Sequence, residues 1–336
     1  MPSTHGSISS MAMQNLLSVH DLNVEFPTRH GTLHALTDVS FNIRPGEVLG
    51  MVGESGAGKS LTGAAIIGLL EPPGRMSQGE IWLRDQRIDH LSEAQMRKIR
   101  GRKIGAIFQD PLTSLNPLYT VGQQLVETIQ THLHFSNQAA LQRAIELLKA
   151  TGIPAAEERI HHYPHQFSGG MRQRVVIALA LAAEPELIVA DEPTTALDVS
   201  IQAQILELLK KLCQEQGTAI LLITHDMGVI ADIADRVAVM YAGRLIEIGP
   251  VEEIIRTPKH PYTTGLMQAI PSIHQLDERL NQIPGNMPRL NAIPAGCAFH
   301  PRCSQRMPRC DQETPDLLTV GHRHKVACWL HEEVQS

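Results

Sequence analysis

Long apolar runs are missing from this chain. No stretch approaches the run of about eighteen apolar residues that marks a membrane-spanning helix. Any contact with a bilayer is therefore expected through partner proteins. A basic excess is missing too: 29 Lys and Arg stand against 35 Asp and Glu, for a formal net charge of −6. Nucleic-acid binders carry a basic patch or stripe, so no nucleic-acid partner is expected. Residues 1–14 lack a positive start followed by an apolar block, so no secretory signal is expected there. They read as a disordered leader, with Met11 and Met13 as alternative starts. Aromatics make up only 4% of the chain, but 43% is hydrophobic, enough for an ordinary core. A length of 336 residues suits one large domain plus a smaller appendage. No internal repeat is evident, which points to one functional unit per chain.

Periodicity orders what is present. Leu22, Val24 and Phe26 alternate, as do Val39, Phe41 and Ile43, and both stretches read as half-buried strands. Residues 47–52 form a short apolar run that enters a glycine-rich loop, and 59–70 reads as the helix after it. Another strand, 103–108, ends at Gln109. From Asn116 the spacing turns helical over 121–131 and 138–150, the latter stopped by Gly152 and Pro154. Residues 187–190 and 219–224 are apolar throughout, as central parallel strands covered on both faces are. Between them, 201–216 reads as a helix closed by Gly217, and 236–248 as a hairpin turning at Ala242-Gly243. After Pro258 the composition shifts toward Pro, His, Arg and Cys, which marks a separate C-terminal region.

The glycine-rich loop is Gly53-Glu54-Ser55-Gly56-Ala57-Gly58-Lys59-Ser60, a match at every fixed position of G-x-x-x-x-G-K-[ST]. A triphosphate gives up well-bound water on entering a protein, so its site needs many donors in a small space. Gly56 and Gly58 remove side chains so that backbone N–H groups point inward, and the following helix adds its positive end. Lys59 is expected to reach the β- and γ-phosphates. Ser60 is expected to offer its hydroxyl to Mg²⁺, with Asp191 holding the same ion through water. The nucleotide-binding set runs from Gly53 through Ser60 to Leu61. Glu192, next to Asp191 at a buried strand end, is placed to orient or deprotonate an attacking water; a second metal carboxylate is the alternative.

Further motifs follow in order: Ser168-Gly169-Gly170 opening a helix, Asp191-Glu192, Ala196-Leu197-Asp198 and Thr224-His225-Asp226. With the phosphate loop, this series resembles the ATP-binding cassette (ABC) ATPases from about Leu16 to the C-terminus. The resemblance implies an α/β fold, a RecA-like P-loop core with an antiparallel β subdomain and a helical subdomain over about 112–184. The nucleotide-binding domain would span 15–257 and a C-terminal extension 258–336. It implies that Glu192 is the catalytic base, that His225 contacts the γ-phosphate, and that Gln109 links Mg²⁺ and the attacking water to the helical subdomain. Phe26 stands where the family stacks an aromatic ring on adenine, although an ordinary core Phe is an equal reading. Ser168, Gly169 and Gly170 would grip the γ-phosphate bound to an opposite subunit, and Asp198 would communicate across that dimer. Phe167 and Met171 depart from the usual Leu-Ser-Gly-Gly-Gln, at positions peripheral to the phosphate.

Within the family, 109–117 (Gln-Asp-Pro-Leu-Thr-Ser-Leu-Asn-Pro), 191–198 and His260-Pro261-Tyr262-Thr263 resemble the peptide and nickel importer ATPases, and most closely the dipeptide- and oligopeptide-permease subunits. That implies a pair of related ATPases, a heterodimer, beneath two transmembrane permease subunits. A periplasmic or lipid-anchored substrate-binding protein would feed them, with this chain peripheral on the cytoplasmic side of the inner membrane. Nickel chelates, glutathione and opines remain alternative cargoes. Cys213 falls in helix 201–216 and reads as a small buried residue, whereas Cys297, Cys303, Cys310 and Cys328 follow the spacing C-x5-C-x6-C-x17-C. That segment has little hydrophobic content and needs a staple, and a reducing cytosol disfavours disulfides. Zinc, an iron–sulfur cluster and four unligated cysteines are all open on spacing; the resemblance implies a [4Fe–4S] cluster. The rival readings are a soluble ABC ATPase, an exporter subunit and a nucleotide-regulated iron–sulfur sensor. Two cassettes or a long coiled coil would mark the first, and neither is present.

Overall fold

The structure, a computed structural model, describes residues 15–194, 199–269 and 283–335. The expected leader, 1–14, and Asp198 lie outside the described residues. The chain divides into two compact units. One holds residues 43–48 and 83–222 together with the chain up to Leu17; the other holds 18–42, 49–82 and the chain from Ile223 onward. Among the described residues no helix is long and apolar enough to cross a membrane.

In the first unit, strands Ile104–Ile107 and Leu187–Asp191 run parallel, with Ile104 opposite Leu187 and Ile107 opposite Ala190. Strand Ala219–Ile223 neighbours the second of these. Their near-complete burial matches the unbroken apolar runs of the sequence. Helix Gly169–Leu181 packs on Ile104–Ile107. Gly105 makes that approach possible, since a Cβ there would lie 2.6 Å from the Ala180 carbonyl oxygen. Helices Val121–Leu133 and Asn137–Ala150 start at side-chain caps, Thr120 within a capping box and Ser136. They bury Leu125 and Ile129 on one side, Ala144 and Leu148 on the other, and pack together. The first runs two residues further at its C-terminal end than its apolar periodicity suggested and the second starts one residue earlier.

In the second unit a sheet carries Gly31–Ile43, Leu17–Thr28 and Arg75–Leu83 in that order. Strand Val48–Val52 pairs in parallel with Arg236–Tyr241, Leu49 opposite Arg236. The latter turns into Arg244–Pro250 through Ala242 and Gly243, whose φ values of 46° and 79° fit a type I′ turn. Strand His324–Val326 then adds to Arg244–Pro250, Val326 opposite Glu247, and Leu318–Gly321 lies outside it. The compositional shift after Pro258 therefore meets no break in the sheet. Helix Lys59–Ile66 is shorter than the expected 59–70. Gly68 takes φ 65°, its N–H bonds Ala65 O and the Leu69 N–H bonds Ala64 O, a Schellman stop that apolar spacing does not reveal.

Candidate nucleotide site

The phosphate loop leaves the buried strand Val48–Val52 and enters helix Lys59–Ile66. Gly53 has φ 151°, and a Cβ on it would lie 2.4 Å from the Met240 carbonyl oxygen, so only glycine fits. Gly58, at φ 103°, is the N-cap of the helix. Lys59 is buried, and its Nζ donates to the carbonyls of Gly53 (2.8 Å) and Glu54 (3.1 Å). The ammonium is thus held along the loop by backbone dipoles. Ala57 is buried and Leu61 half-buried, whereas Ser55, Gly56 and Ser60 are exposed at the crest. A helix start, an ammonium and open amides together make an anion cradle. Ser60 puts a hydroxyl in that first turn, where it could serve a Mg²⁺ that accompanies the phosphates.

In the same unit Phe26 is half-buried on strand Leu17–Thr28, and its ring edge rests against Gly74. His225 is exposed just beyond strand Ala219–Ile223. A tight cap follows it: Asp226 Oδ1 accepts from the N–H groups of Gly228 (2.8 Å) and Val229 (3.3 Å), opening helix Met227–Ile233.

The first unit carries the carboxylates. Asp191 ends its strand, and Glu192 takes φ 46°, a backbone conformation that side-chain-bearing residues rarely adopt. Gln109 Nε2 donates to Glu192 Oε2 at 3.0 Å, so two residues 83 positions apart meet at the ends of paired strands. Ser168 caps helix Gly169–Leu181, its Oγ accepting from the Met171 N–H at 3.3 Å, and Gly169 and Gly170 form the first turn. Phe167 is buried, which suits an aromatic ring in place of leucine.

Three-dimensional contacts give a place at the loop to residues to which the sequence assigned no role there. His260 is buried and neutral: burial carries its pKa down to about 4 against the pull of Glu247. Its Nδ1 accepts from the Tyr262 N–H (3.0 Å) and caps helix Pro261–Gln268. Tyr262, fully buried, accepts the Glu54 N–H of the phosphate loop on its hydroxyl at 2.9 Å. Arg302 donates to both carboxylate oxygens of Glu54, at 3.0 and 3.2 Å. The His-Pro-Tyr-Thr stretch was visible as a family mark; nothing in the sequence marked Arg302.

Cys297, Cys303, Cys310 and Cys328 line one cavity, with Phe299 and Trp329 among its walls. Burial pushes Cys328 up to about 11 and raises Cys297 and Cys303 as well. Among the described residues no three His, Cys, Asp or Glu converge as ligands of a single metal ion. Cys213 is buried in helix Val199–Gln216, its thiol pushed up to about 12 by burial.

Comparison with known proteins adds family to geometry. The family described as "ABC transporter" matches residues 36–195, and "Oligopeptide/dipeptide transporter, C-terminal region" matches 246–310. The oligopeptide transport ATP-binding protein OppD of Bacillus subtilis is 50% identical over 317 residues, 94% of this chain and 88% of its own. The dipeptide transport ATP-binding protein DppD of the same organism is 48% identical over 96% of each chain. Among solved structures, the dimeric ATP-binding cassette MJ0796 with ADP and Pi has a TM-score of 0.63 at 31% identity, covering 70% of this chain and 98% of its own. The cassette cbiO1 from Clostridium perfringens has the same score and identity, over 73% and 92%. The iron–sulfur sensor reading finds no support among these relatives, which are named for transport.

Proposed function

The chain belongs to the ATP-binding subunits of oligopeptide and dipeptide ABC importers, and from that membership we propose how its residues share the work. It is an ATPase coupled to peptide import. Gly53 through Ser60, with Leu61, bind the triphosphate, and Lys59 meets the β- and γ-phosphates. Ser60, Asp191 and Gln109 hold Mg²⁺, which draws charge from the phosphate oxygens when bound. Glu192 takes or orients the proton of the attacking water, positioned by Gln109. His225 contacts the γ-phosphate, and Phe26 stacks on adenine. Ser168, Gly169 and Gly170 serve the nucleotide of an opposing ATPase, a reading supported by the dimeric structures of the MJ0796 cassette. Asp198, outside the described residues, is assigned to communication across that dimer.

The opposing ATPase is a related sister chain, and the pair sits on the cytoplasmic side of the inner membrane. Two permease subunits and an external substrate-binding protein, periplasmic or lipid-anchored, complete the transporter. An open groove lined by Gly105, Phe108, Ser114, Val176 and Leu179 supports a permease docking place near Gln109. Exposed Leu118 and Tyr119 lie in the same unit. The C-terminal extension holds a [4Fe–4S] cluster on Cys297, Cys303, Cys310 and Cys328. When bound, that cluster would supply a covalent staple for a segment poor in apolar residues.

One observation carries the functional reading: a complete phosphate loop and a Gln109–Glu192 pair stand in a chain whose C-terminal part matches oligopeptide and dipeptide transporters. Uptake of labelled dipeptide, longer peptide, nickel and glutathione in cells lacking the gene tests it. Peptide uptake should be lost and restored by the wild-type chain. Intact peptide uptake with loss of nickel or glutathione would move the cargo assignment.

A further inference from the structure

The second residue of the phosphate loop is held from outside the loop at two points. Tyr262 accepts the Glu54 N–H, and Arg302 binds the Glu54 carboxylate. Both come from beyond residue 258, in the C-terminal extension. Glu54 is also where the loop holds its own cation, since the Glu54 carbonyl accepts from Lys59 Nζ.

Arg302 differs from an ordinary surface partner. Its side chain is only 7% exposed. Its Nε donates to the Pro284 carbonyl at 2.8 Å and its Nη2 to that of Gly285 at 3.3 Å, while Nη1 also reaches the Tyr241 hydroxyl at 3.3 Å. The guanidinium lies 5.8 and 5.9 Å from the ring centres of Tyr241 and Phe299. Those rings and Tyr262 stack edge to face, with centroids 4.7 to 5.4 Å apart. The fork is thus fixed by carbonyls and aromatic rings before it meets Glu54, so little side-chain freedom is lost in the pairing.

A carboxylate in an anion-binding loop is a liability. Unpaired, Glu54 would repel the phosphates and compete with them for the Lys59 ammonium. We propose that Arg302, with Tyr262, is a positioning residue for nucleotide binding: the C-terminal extension neutralises Glu54 and fixes the loop backbone, and so completes the phosphate site within the same chain. Neither residue touches nucleotide. Arg302 acts through Glu54, and Tyr262 through the backbone N–H that fixes the loop's turn. The inference rests on the ATP-binding reading above.

The test uses the full-length chain, with equilibrium binding of Mg-ATP and steady-state ATPase kinetics. Arg302→Ala should raise both the ATP dissociation constant and KM about tenfold while kcat changes by less than about twofold. Arg302→Lys, which keeps charge but not the fork, should fall between. Adding Glu54→Gln to Arg302→Ala removes the uncompensated charge and should recover much of the lost affinity, a rescue that a purely structural role would not produce. If Arg302→Ala does not fold, as judged by its melting curve, Tyr262→Phe decides, with a raised dissociation constant expected. Wild-type ATP affinity in a folded Arg302→Ala, no rescue in the double variant, or unchanged affinity in the Tyr262→Phe arm would each overturn the inference. A wild-type chain that fails to bind ATP would instead overturn the functional reading beneath it.

Discussion

Glu192 occupies a left-handed backbone conformation (φ 46°) that side-chain-bearing residues seldom adopt, and Gln109 anchors its carboxylate at 3.0 Å. Such strain persists only where the surroundings hold it, here at the end of a buried parallel strand. Gln at this position has nearly the same shape but cannot take a proton. Glu192→Gln should therefore keep ATP binding while phosphate release slows by about 10²–10⁴-fold. Retained hydrolysis in that variant would assign the proton transfer elsewhere. The identity of Glu192 was legible at once, since it directly follows Asp191 after an apolar run. Its link to Gln109 was not, because that contact exists only when strands Ile104–Ile107 and Leu187–Asp191 pair.

Among the elements, those with unbroken apolar runs, turn signals or caps announced themselves, whereas strand Arg75–Leu83 and helix Glu93–Ile99 were not read and the irregular segments gave no pattern. The parallel strands read as apolar runs, the hairpin at Ala242-Gly243 as a turn signal, and the helix after Ser168 as a cap. The C-terminal segment is built from short 3₁₀ turns with no periodicity to read. On the proposed reading its cysteines would supply, through a bound cluster, what a core otherwise would. Burial raises the thiols of Cys297, Cys303 and Cys328 above their ordinary value, which disfavours thiolate there unless a bound cationic group stabilises it. Protein purified without oxygen should contain iron and acid-labile sulfide, and Cys310→Ser should lower both. Zinc without iron would sink the cluster assignment.

Across the whole molecule, the tie between the C-terminal strands and the sheet is electrostatic as well as hydrogen-bonded. His324, buried, meets Glu247 through Nε2 and Glu253 through Nδ1, each at 2.8 Å. Burial alone would lower the imidazole pKa, but the two carboxylates outweigh it and the net shift is upward. For Glu247, burial raises the carboxyl, but hydrogen bonds from His324 and the N–H groups of His260 and Lys259 leave it lowered. The signs set a window. The His324 contribution is complete below an ordinary imidazole pKa of about 6.5 and is lost as pH rises through its raised value. The Glu247 contribution is complete above about 4.5 and is lost as pH falls through its lowered value. The His324–Glu247 contribution is therefore largest between about pH 4.5 and 6.5. His260, kept neutral by burial, withdraws stability as pH falls below about 6.5, so the melting temperature should be highest near pH 6.5 and fall on both sides. His324→Gln should lower it and flatten the alkaline fall, and an identical alkaline slope in the variant would show that the pair does not carry the charge. The sequence by itself determined the phosphate loop, the apolar strands at 187–190 and 219–224, the acidic pair at 191–192 and the family, because each is written in neighbouring residues whose spacing has direct chemical meaning. Tertiary structure alone decided that Arg302 meets Glu54 across 248 positions, that Tyr262 braces the same residue, and that four scattered cysteines share one cavity. Such contacts depend on which elements packing brings together, and no local periodicity records that.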